Sequence, residues 1–438
     1  MNSVQTVKNK ALVNLPATTR PQIVIVGGGF AGIELARGLR NLDVQVILID
    51  QNNYHTFQPL LYQVATAGLE PDSIVYPFRE IFRSQGNLIF RMAKVLEIRP
   101  ESNKIRTSIG DVEYDYLVLA NGSRTNYYGM KDFMKFSLPM KSIPDAMAIR
   151  NMLLENMEKA LLAKDVGERE SLMNIVVIGG GPTGVEMAGA LGELKKHVLT
   201  RDYTELDVKR MQIHVVDMES RLLAAMSLDA SRRAAEFLKR FDVCMCLGTK
   251  VISYDGRILC LSSGEKIPTN TVIWSAGVSG AAIAGLEAGS VVQGRLKVNP
   301  FNQVHGYSNI YAIGDIAVMV VDKLPKGHPM LAPVAIQQAN HLAKNFKKIL
   351  YHQSLKPFVY KNTGVMATVG RNNAVADIKG LKIHGFGGWM IWLFVHLMAL
   401  VGFRNKIIVF INWMWSYFSF DRSLRLIIKP PSGVTERG

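Results

Sequence analysis

The chain has 438 residues, 48% of them apolar and 20% charged. At roughly 100–200 residues per domain this leaves room for two to four domains with buried cores and excludes a disordered or collagen-like chain. The 51 Lys and Arg against 36 Asp and Glu give a net charge of +15, so the partners include something acidic: a nucleic acid, a lipid surface or an anionic ligand. Three cysteines, Cys244, Cys246 and Cys260, are too few and too clustered for a disulfide framework and fit a reducing, cytosol-facing location.

Residues 1–20 carry Lys8, Lys10 and Arg20 and no acid. They lack the apolar stretch of a secretory signal and read as a loose tail, with a mitochondrial transit peptide as the competing reading. Gln22–Val26 (QIVIV) then reads as a buried strand, GGGFAG at 27–32 as a turn and 33–39 as a helix. In such a unit Gly27 makes the tight turn, Gly29 admits a pyrophosphate to the backbone and Gly32 lets helix and strand pack. The next apolar run, 44–49, ends at Asp50, where a carboxylate can accept from a ribose diol.

The unit recurs as a strand at 174–178, GGGPTG at 179–184 with Gly179, Gly181 and Gly184 in the three glycine roles, a helix at 185–200, and a strand at 212–216 closing on Asp217. One glycine fingerprint is as consistent with an ordinary turn; two, each with strand, helix and acid in place, indicate dinucleotide binding. Asp217 favours NAD, because a carboxylate repels the 2′-phosphate of NADP, although Arg221 nearby leaves NADP open. Two cradles suggest a flavin in the first and a nicotinamide delivered by the second.

Two further strand ends support the flavin: 116–120 leads into Asn121-Gly122, and 309–313 into Gly314-Asp315, whose carboxylate and backbone N–H suit a ribityl phosphate. Ala276-Gly277, after the strand at 271–273, forms either the turn under the nicotinamide or a plain connection.

At the C-terminal end, 386–402 has no Asp, Glu, Lys or Arg, and after Arg404 and Lys406 the run 407–420 is again uncharged. Seventeen residues make about 25 Å of helix against a hydrocarbon core of about 30 Å. Asn405, Asn412, Ser416 and Ser419 share one helix face. Four of the five Trp, at 389, 392, 413 and 415, sit here, and nine Lys and Arg against three Asp and Glu from Arg371 onward make the segment positive. We read helices lying in an anionic membrane surface, Trp at headgroup level, with buried core helices or a transmembrane hairpin as alternatives. No zinc-finger spacing or basic helix supports nucleic acid. Cys244 and Cys246 alternate on a strand and read as packing residues, so no metal is expected.

The chain resembles the two-dinucleotide-binding-domain flavoproteins and, within them, the type II, non-proton-pumping NADH:quinone oxidoreductases. The segments that carry the resemblance are YHTFQPLLYQVATAGLEP at 54–71, GGGPTGVEMAG at 179–189, IYAIGDIA at 310–317, LAPVAIQQA at 331–339 and GLKIHGFGGWMIWLFVHLMALVGFRNKI at 380–407. It implies tightly bound FAD, NADH as substrate and a membrane quinone, ubiquinone or menaquinone, as acceptor, on the cytoplasmic face of the inner membrane. It places Gln337 and Gln338 at the quinone site, with Ala332 and Pro333 near the flavin ring. Pro333 stands where many members carry a first glutamine. Glu186 is similar to a family glutamate near the nicotinamide–flavin stack, an ordinary first-turn helix carboxylate being the alternative. Lys379 is similar to a lysine near the quinone cleft, or is a solvated loop lysine.

The expected architecture is α/β: two Rossmann-like domains, an FAD domain at 1–143 and 278–375 interrupted by an NADH domain at 144–277, and membrane-docking helices at 376–438. The cysteines lie away from the flavin motifs, which argues against disulfide and sulfide:quinone reductases. A soluble NADH-dependent ferredoxin or rubredoxin reductase and a non-catalytic redox sensor stand as alternatives, and a homodimer is left open.

Overall fold

The computed structural model describes residues 13–321, 324–419 and 425–428. Most of the N-terminal tail and the last ten residues therefore lie outside the described residues. The chain divides into two compact units, one of residues 1–55, 76–124 and 279–362, the other of 56–75, 125–278 and 363–438.

The first unit is built on a five-stranded parallel sheet in the order Ile310–Ala312, Tyr116–Leu119, Gln22–Val26, Gln45–Asp50, Leu88–Met92. Both faces are buried, so the central strands read as continuous apolar runs. Ile23 and Ile25 belong to one core with Leu342 and Phe346, while Val24 and Val26 belong to the other with Leu117 and Leu296. Helices Phe30–Gly38 and Ala332–Leu350 pack together on the first face, close enough that a Cβ at Gly38 would lie 2.6 Å from that of Ala343.

The second unit repeats the plan, with parallel strands in the order Leu138–Pro139, Thr271–Trp274, Ile175–Ile178, Ile213–Asp217, Val243–Leu247. Helix Ile143–Leu162 follows the first of these strands, its start fixed by a capping box in which Ser142 and Asp145 satisfy each other's backbone N–H. A separate antiparallel sheet, Val365–Thr368, Ala374–Ile378 and Leu381–His384, carries helices Gly385–Ala399 and Phe403–Ser419. Residues 363–375 thus group with the unit that holds the second glycine turn.

The α/β class with two parallel sheets is as the sequence predicts. Two helix starts differ: Phe30–Gly38 and Pro182–Leu194 begin three residues earlier than 33 and 185. The last residues of each glycine motif are already helical, Pro182 being suited to the first turn, where its missing N–H costs nothing. The second helix continues through a π-helical stretch at Lys195–Leu199 into Thr200–Asp202, ending close to the predicted residue 200.

Candidate functional site

In the first unit Gly27 has φ +100°, and a Cβ there would stand 2.6 Å from the Ala120 carbonyl oxygen, so only glycine fits. A Cβ at Gly32 would collide with the Gly27 carbonyl, whereas Gly29 faces open space. The turn is held from both sides. Asp50 accepts from the Gly28 N–H at 2.7 Å and the Asn52 N–H at 2.8 Å. Burial raises its pKa and the two N–H groups oppose that shift. His55 Nδ1 lies 3.1 Å from the Gly28 carbonyl, and burial pulls its pKa down to about 4, so a neutral ring donates there.

At the neighbouring strand ends, Asn121 donates to the Ala281 carbonyl at 2.6 Å while its Oδ1 is buried without a hydrogen-bond partner. Gly122 has φ +72° and Gly314 φ +74°. The Asp315 carboxylate accepts from the Ser123 hydroxyl at 2.6 Å, and the Gly314 N–H donates to Gln338 Oε1 at 2.8 Å. Ala332 and Pro333 open helix Ala332–Leu350, whose side chain at Ala335 faces the Gly314 turn. Open space at Gly29 and an orphaned acceptor on Asn121 fit a bound dinucleotide, with the N-terminus of Phe30–Gly38 toward its phosphates.

The two glutamines are not brought together. Gln337 exchanges two hydrogen bonds with the backbone of Lys361, at 2.9 and 3.0 Å, while Gln338 is buried against Gly314. Successive helical residues diverge by about 100°, which is why the pair cannot line one wall.

The second unit repeats the first turn closely. Gly179 has φ +109°, its Cβ would stand 2.8 Å from the Ser275 backbone, and Gly181 is open. Gly184 packs on the Gly179 carbonyl. Asp217 accepts from the Gly180 N–H and, at 2.8 Å, from the Glu219 N–H. Arg221 is fully engaged, donating to the carbonyls of Ala224 and Met226 and to the Ser231 hydroxyl, so it is not turned out toward a 2′-phosphate. The Ala276 carbonyl accepts from Tyr128 at 3.1 Å, and Gly277, at φ +142°, lies against the same ring.

Glu186 is buried on helix Pro182–Leu194, its partners among the described residues being neutral donors. Its Oε1 accepts from the Thr368 N–H at 3.4 Å and from the Trp392 indole at 3.2 Å. Two neutral donors do not offset lost hydration, and burial pushes its pKa up to about 8. Trp392 stacks on His396 at 4.0 Å, a ring that burial keeps neutral by lowering its pKa to about 4. Beside them a cleft is lined by Tyr62, Gln63, Trp389, Trp392, Trp413 and Tyr417. Lys379 does not line it; at φ +48° it forms, with Gly380, the exposed tip of the hairpin between Ala374–Ile378 and Leu381–His384.

The tail helices have 15 and 17 residues, and no helix among the described residues is long and apolar enough to cross a membrane. In Phe403–Ser419 the polar residues Asn405 and Ser416 turn inward, the reverse of an amphipathic helix with its polar side to water. Asn405 is buried and donates to the Val75 carbonyl at 2.7 Å, and Ser416 accepts from Arg371. Phe403, Phe410, Ile411, Trp415 and Phe418 are exposed instead. The tryptophans do not act alike: Trp392 gives its N–H to Glu186, Trp413 gives its own to Gln63 at 2.8 Å, Trp389 stacks on Tyr417, and only Trp415 of the four is exposed. The expectation of Trp at headgroup level is therefore corrected for Trp392, whose indole satisfies a buried carboxylate.

His55, Ser123 and Gln63 are contacts that sequence reasoning did not single out, and Trp392 was expected at a membrane surface rather than against Glu186. His55 and Gln63 lie inside the 54–71 segment that carries the resemblance, and the spacing of Trp392 and His396 was a usable signal for one helix face.

Two glycine-turn parallel sheets, each with an acid locking the turn, define the class of two-dinucleotide oxidoreductases. The sequence profile of the pyridine nucleotide-disulphide oxidoreductases matches residues 21–339, and that of the NDH2 C-terminal domain matches 362–422. The chain belongs to this family and, within it, to the type II NADH:quinone oxidoreductases. It is 34% identical over 419 residues to the type II NADH:quinone oxidoreductase Ndh of Mycobacterium tuberculosis, covering 92% of this chain and 89% of that protein. It is 25% identical to the Staphylococcus saprophyticus type II NADH:quinone oxidoreductase, covering 84% and 92%. In fold it is similar to NDH2 of Plasmodium falciparum solved with NADH, at TM-score 0.85 and 21% identity over 94% of this chain and all of that one. It is also similar to the sulfide:quinone oxidoreductase of Aquifex aeolicus, at TM-score 0.69 and 20% identity over 94% and 96%.

Proposed function

We propose that the first unit holds FAD through Gly27, Gly29, Gly32, Asp50, Asn121, Gly122, Gly314 and Asp315, with Ala332 and Pro333 beside its ring. The second unit takes NADH through Gly179, Gly181, Gly184, Asp217, Ala276 and Gly277. The enzyme is an NADH:quinone oxidoreductase that pumps no protons. FAD, when bound, supplies the two-electron acceptor and donor chemistry.

The chain's own residues do the rest. Asp50 and Asp217 fix the glycine turns so that backbone N–H groups point at phosphate without rearrangement. Asp217 presents a carboxylate where a ribose 2′-hydroxyl is accepted and a 2′-phosphate repelled. Glu186, protonated at neutral pH, holds a proton at its carboxyl within reach of the tail helix. Gln338 positions the Gly314 turn through its N–H, and Gln337 anchors the segment at Lys361; neither amide needs to touch quinone. Lys379, at a hairpin tip, suits an anionic surface better than a cleft.

The observation that carries the acceptor assignment is the apolar outer face of the tail. Exposed aromatic and aliphatic groups of this density invite aggregation unless lipid covers them. The protein docks as a monotopic helix pair on the cytoplasmic side of the inner membrane, with Arg404 and Lys406 toward anionic headgroups.

The test is vesicle flotation joined to turnover. Protein on vesicles of anionic lipid containing a long-chain quinone is expected to float and to oxidise NADH, with little turnover of quinone held in neutral detergent-free suspension. Undiminished activity on a soluble ferredoxin with no vesicle binding would favour the soluble reductase instead.

A further inference from the structure

The strand that ends at Asp217 carries a second polar group that the nucleotide turn does not use. His214 on Ile213–Asp217, Cys246 on the neighbouring Val243–Leu247 and Glu265 in the turn before Lys266–Pro268 bring one ring nitrogen, one sulfur and one carboxylate oxygen within 4.8 Å of one another. Parallel register sets His214 beside Cys244, and alternation puts Cys246 on the same face two residues on. No sequence spacing announces this group, because the sheet joins residues that stand 19 to 51 apart in the chain.

His214 is only 5% exposed. Its Nε2 lies 3.0 Å from the side-chain oxygen of Gln212. An amide oxygen only accepts, so Nε2 carries the proton and Nδ1 keeps the lone pair. Nδ1 is buried and has no hydrogen-bond partner. A buried acceptor left unmade is costly, and the Cys246 sulfur and a Glu265 carboxylate oxygen lie within 4.8 Å of a nitrogen of this ring. An imidazole whose other nitrogen is held by a carbonyl oxygen is the usual arrangement of a metal-bound histidine.

We propose that His214, Cys246 and Glu265 form a zinc site. Zinc takes imidazole nitrogen, thiolate and carboxylate together, and three protein ligands leave a fourth position for water. Ligand atoms about 2.0–2.3 Å from a tetrahedral ion lie roughly 3.3–3.8 Å apart, so closure from the present spacing requires only side-chain rotation, which the exposed Glu265 permits. On binding, the Cys246 thiol loses its proton to solvent and its sulfur bonds the metal; nothing is oxidised or reduced. The site lies three residues from Asp217, on the same strand.

The experiment uses the full-length, FAD-loaded protein in detergent, incubated with zinc chloride and dialysed. Expected are one zinc retained per chain and an X-ray absorption spectrum with a single sulfur at about 2.3 Å, the other ligands being nitrogen or oxygen. Cys246→Ser is expected to lose the sulfur shell, and Gln212→Ala to bind zinc about tenfold more weakly, while Cys260→Ser keeps both properties. In the unaltered protein, zinc is expected to slow alkylation of Cys246 but not of Cys260, a readout that needs no variant to fold. No retained zinc, a shell of nitrogen and oxygen alone, a sulfur shell that survives Cys246→Ser, or unprotected Cys246 would each overturn the proposal.

Discussion

At the residue scale, Glu186 is a carboxyl that burial has taken out of water. Its pKa is about 8 in the fold against an ordinary 4.5, so the folded state binds a proton that the unfolded state has released between those values. The stability tied to that proton is complete below about pH 4.5 and is lost as pH rises through about 8. Glu186→Gln keeps the acceptor for Trp392 and removes the titration. Its melting temperature relative to the parent is expected to rise with pH across this window and to level off above it; a pH-independent difference would mean that Glu186 is ionised throughout. Asp217 carries a second prediction. Its carboxylate serves two backbone N–H groups, and hydrogen bonds to charged groups contribute about 1.5–3 kcal/mol each. Asp217→Asn is expected to raise the KM for NADH by roughly tenfold or more, at about 1.4 kcal/mol per decade, with a smaller change for NADPH. Steady-state kinetics with both nucleotides checks this, and an equal change for the two would remove Asp217 from the ribose.

At the element scale, the glycine turns were legible in the sequence because the chemistry is local: three glycines, one strand and the acid at the end of the next strand fix the geometry, Asp50 standing 22 residues from Gly28 and Asp217 37 from Gly180. The tail was legible only as apolar and aromatic. Which face met protein depended on partners far away in the chain, such as Val75 for Asn405 and Gln63 for Trp413, and no periodicity reveals those. Likewise Gln337 and Gln338 looked equivalent as neighbours, whereas their partners at Lys361 and Gly314 separate them. The inward polar face has a measurable consequence. Asn405→Ala takes the donor from the half-buried Val75 carbonyl, at a cost of about 1 kcal/mol or more, and is expected to lower the melting temperature. Replacing Phe403, Phe410, Trp415 and Phe418 by serine removes exposed groups only, and is expected to leave melting and dye reduction nearly unchanged while making the protein extractable from membranes by salt. Continued need for detergent would contradict docking through this face. Truncation before the tail is a poorer probe, since it takes Trp392 from Glu186 as well.

At the scale of the whole molecule, the two units apply one solution twice: a parallel sheet buried on both faces, a glycine turn that only a side-chain-free backbone can make, and an aspartate that locks it. All three cysteines fall at 244–260 in the second unit, so the first unit's glycine turn carries no thiol of its own, and the proposed path runs from NADH through flavin to quinone without a protein dithiol. The measurement that tests this most directly follows the flavin absorbance of the detergent-purified protein without oxygen, with NADH added first and a short-chain quinone second. Loss of the absorbance on NADH and its rapid return on quinone are the expected result. Loss on NADH with no return on quinone would contradict the acceptor assignment while leaving the nucleotide turns in place.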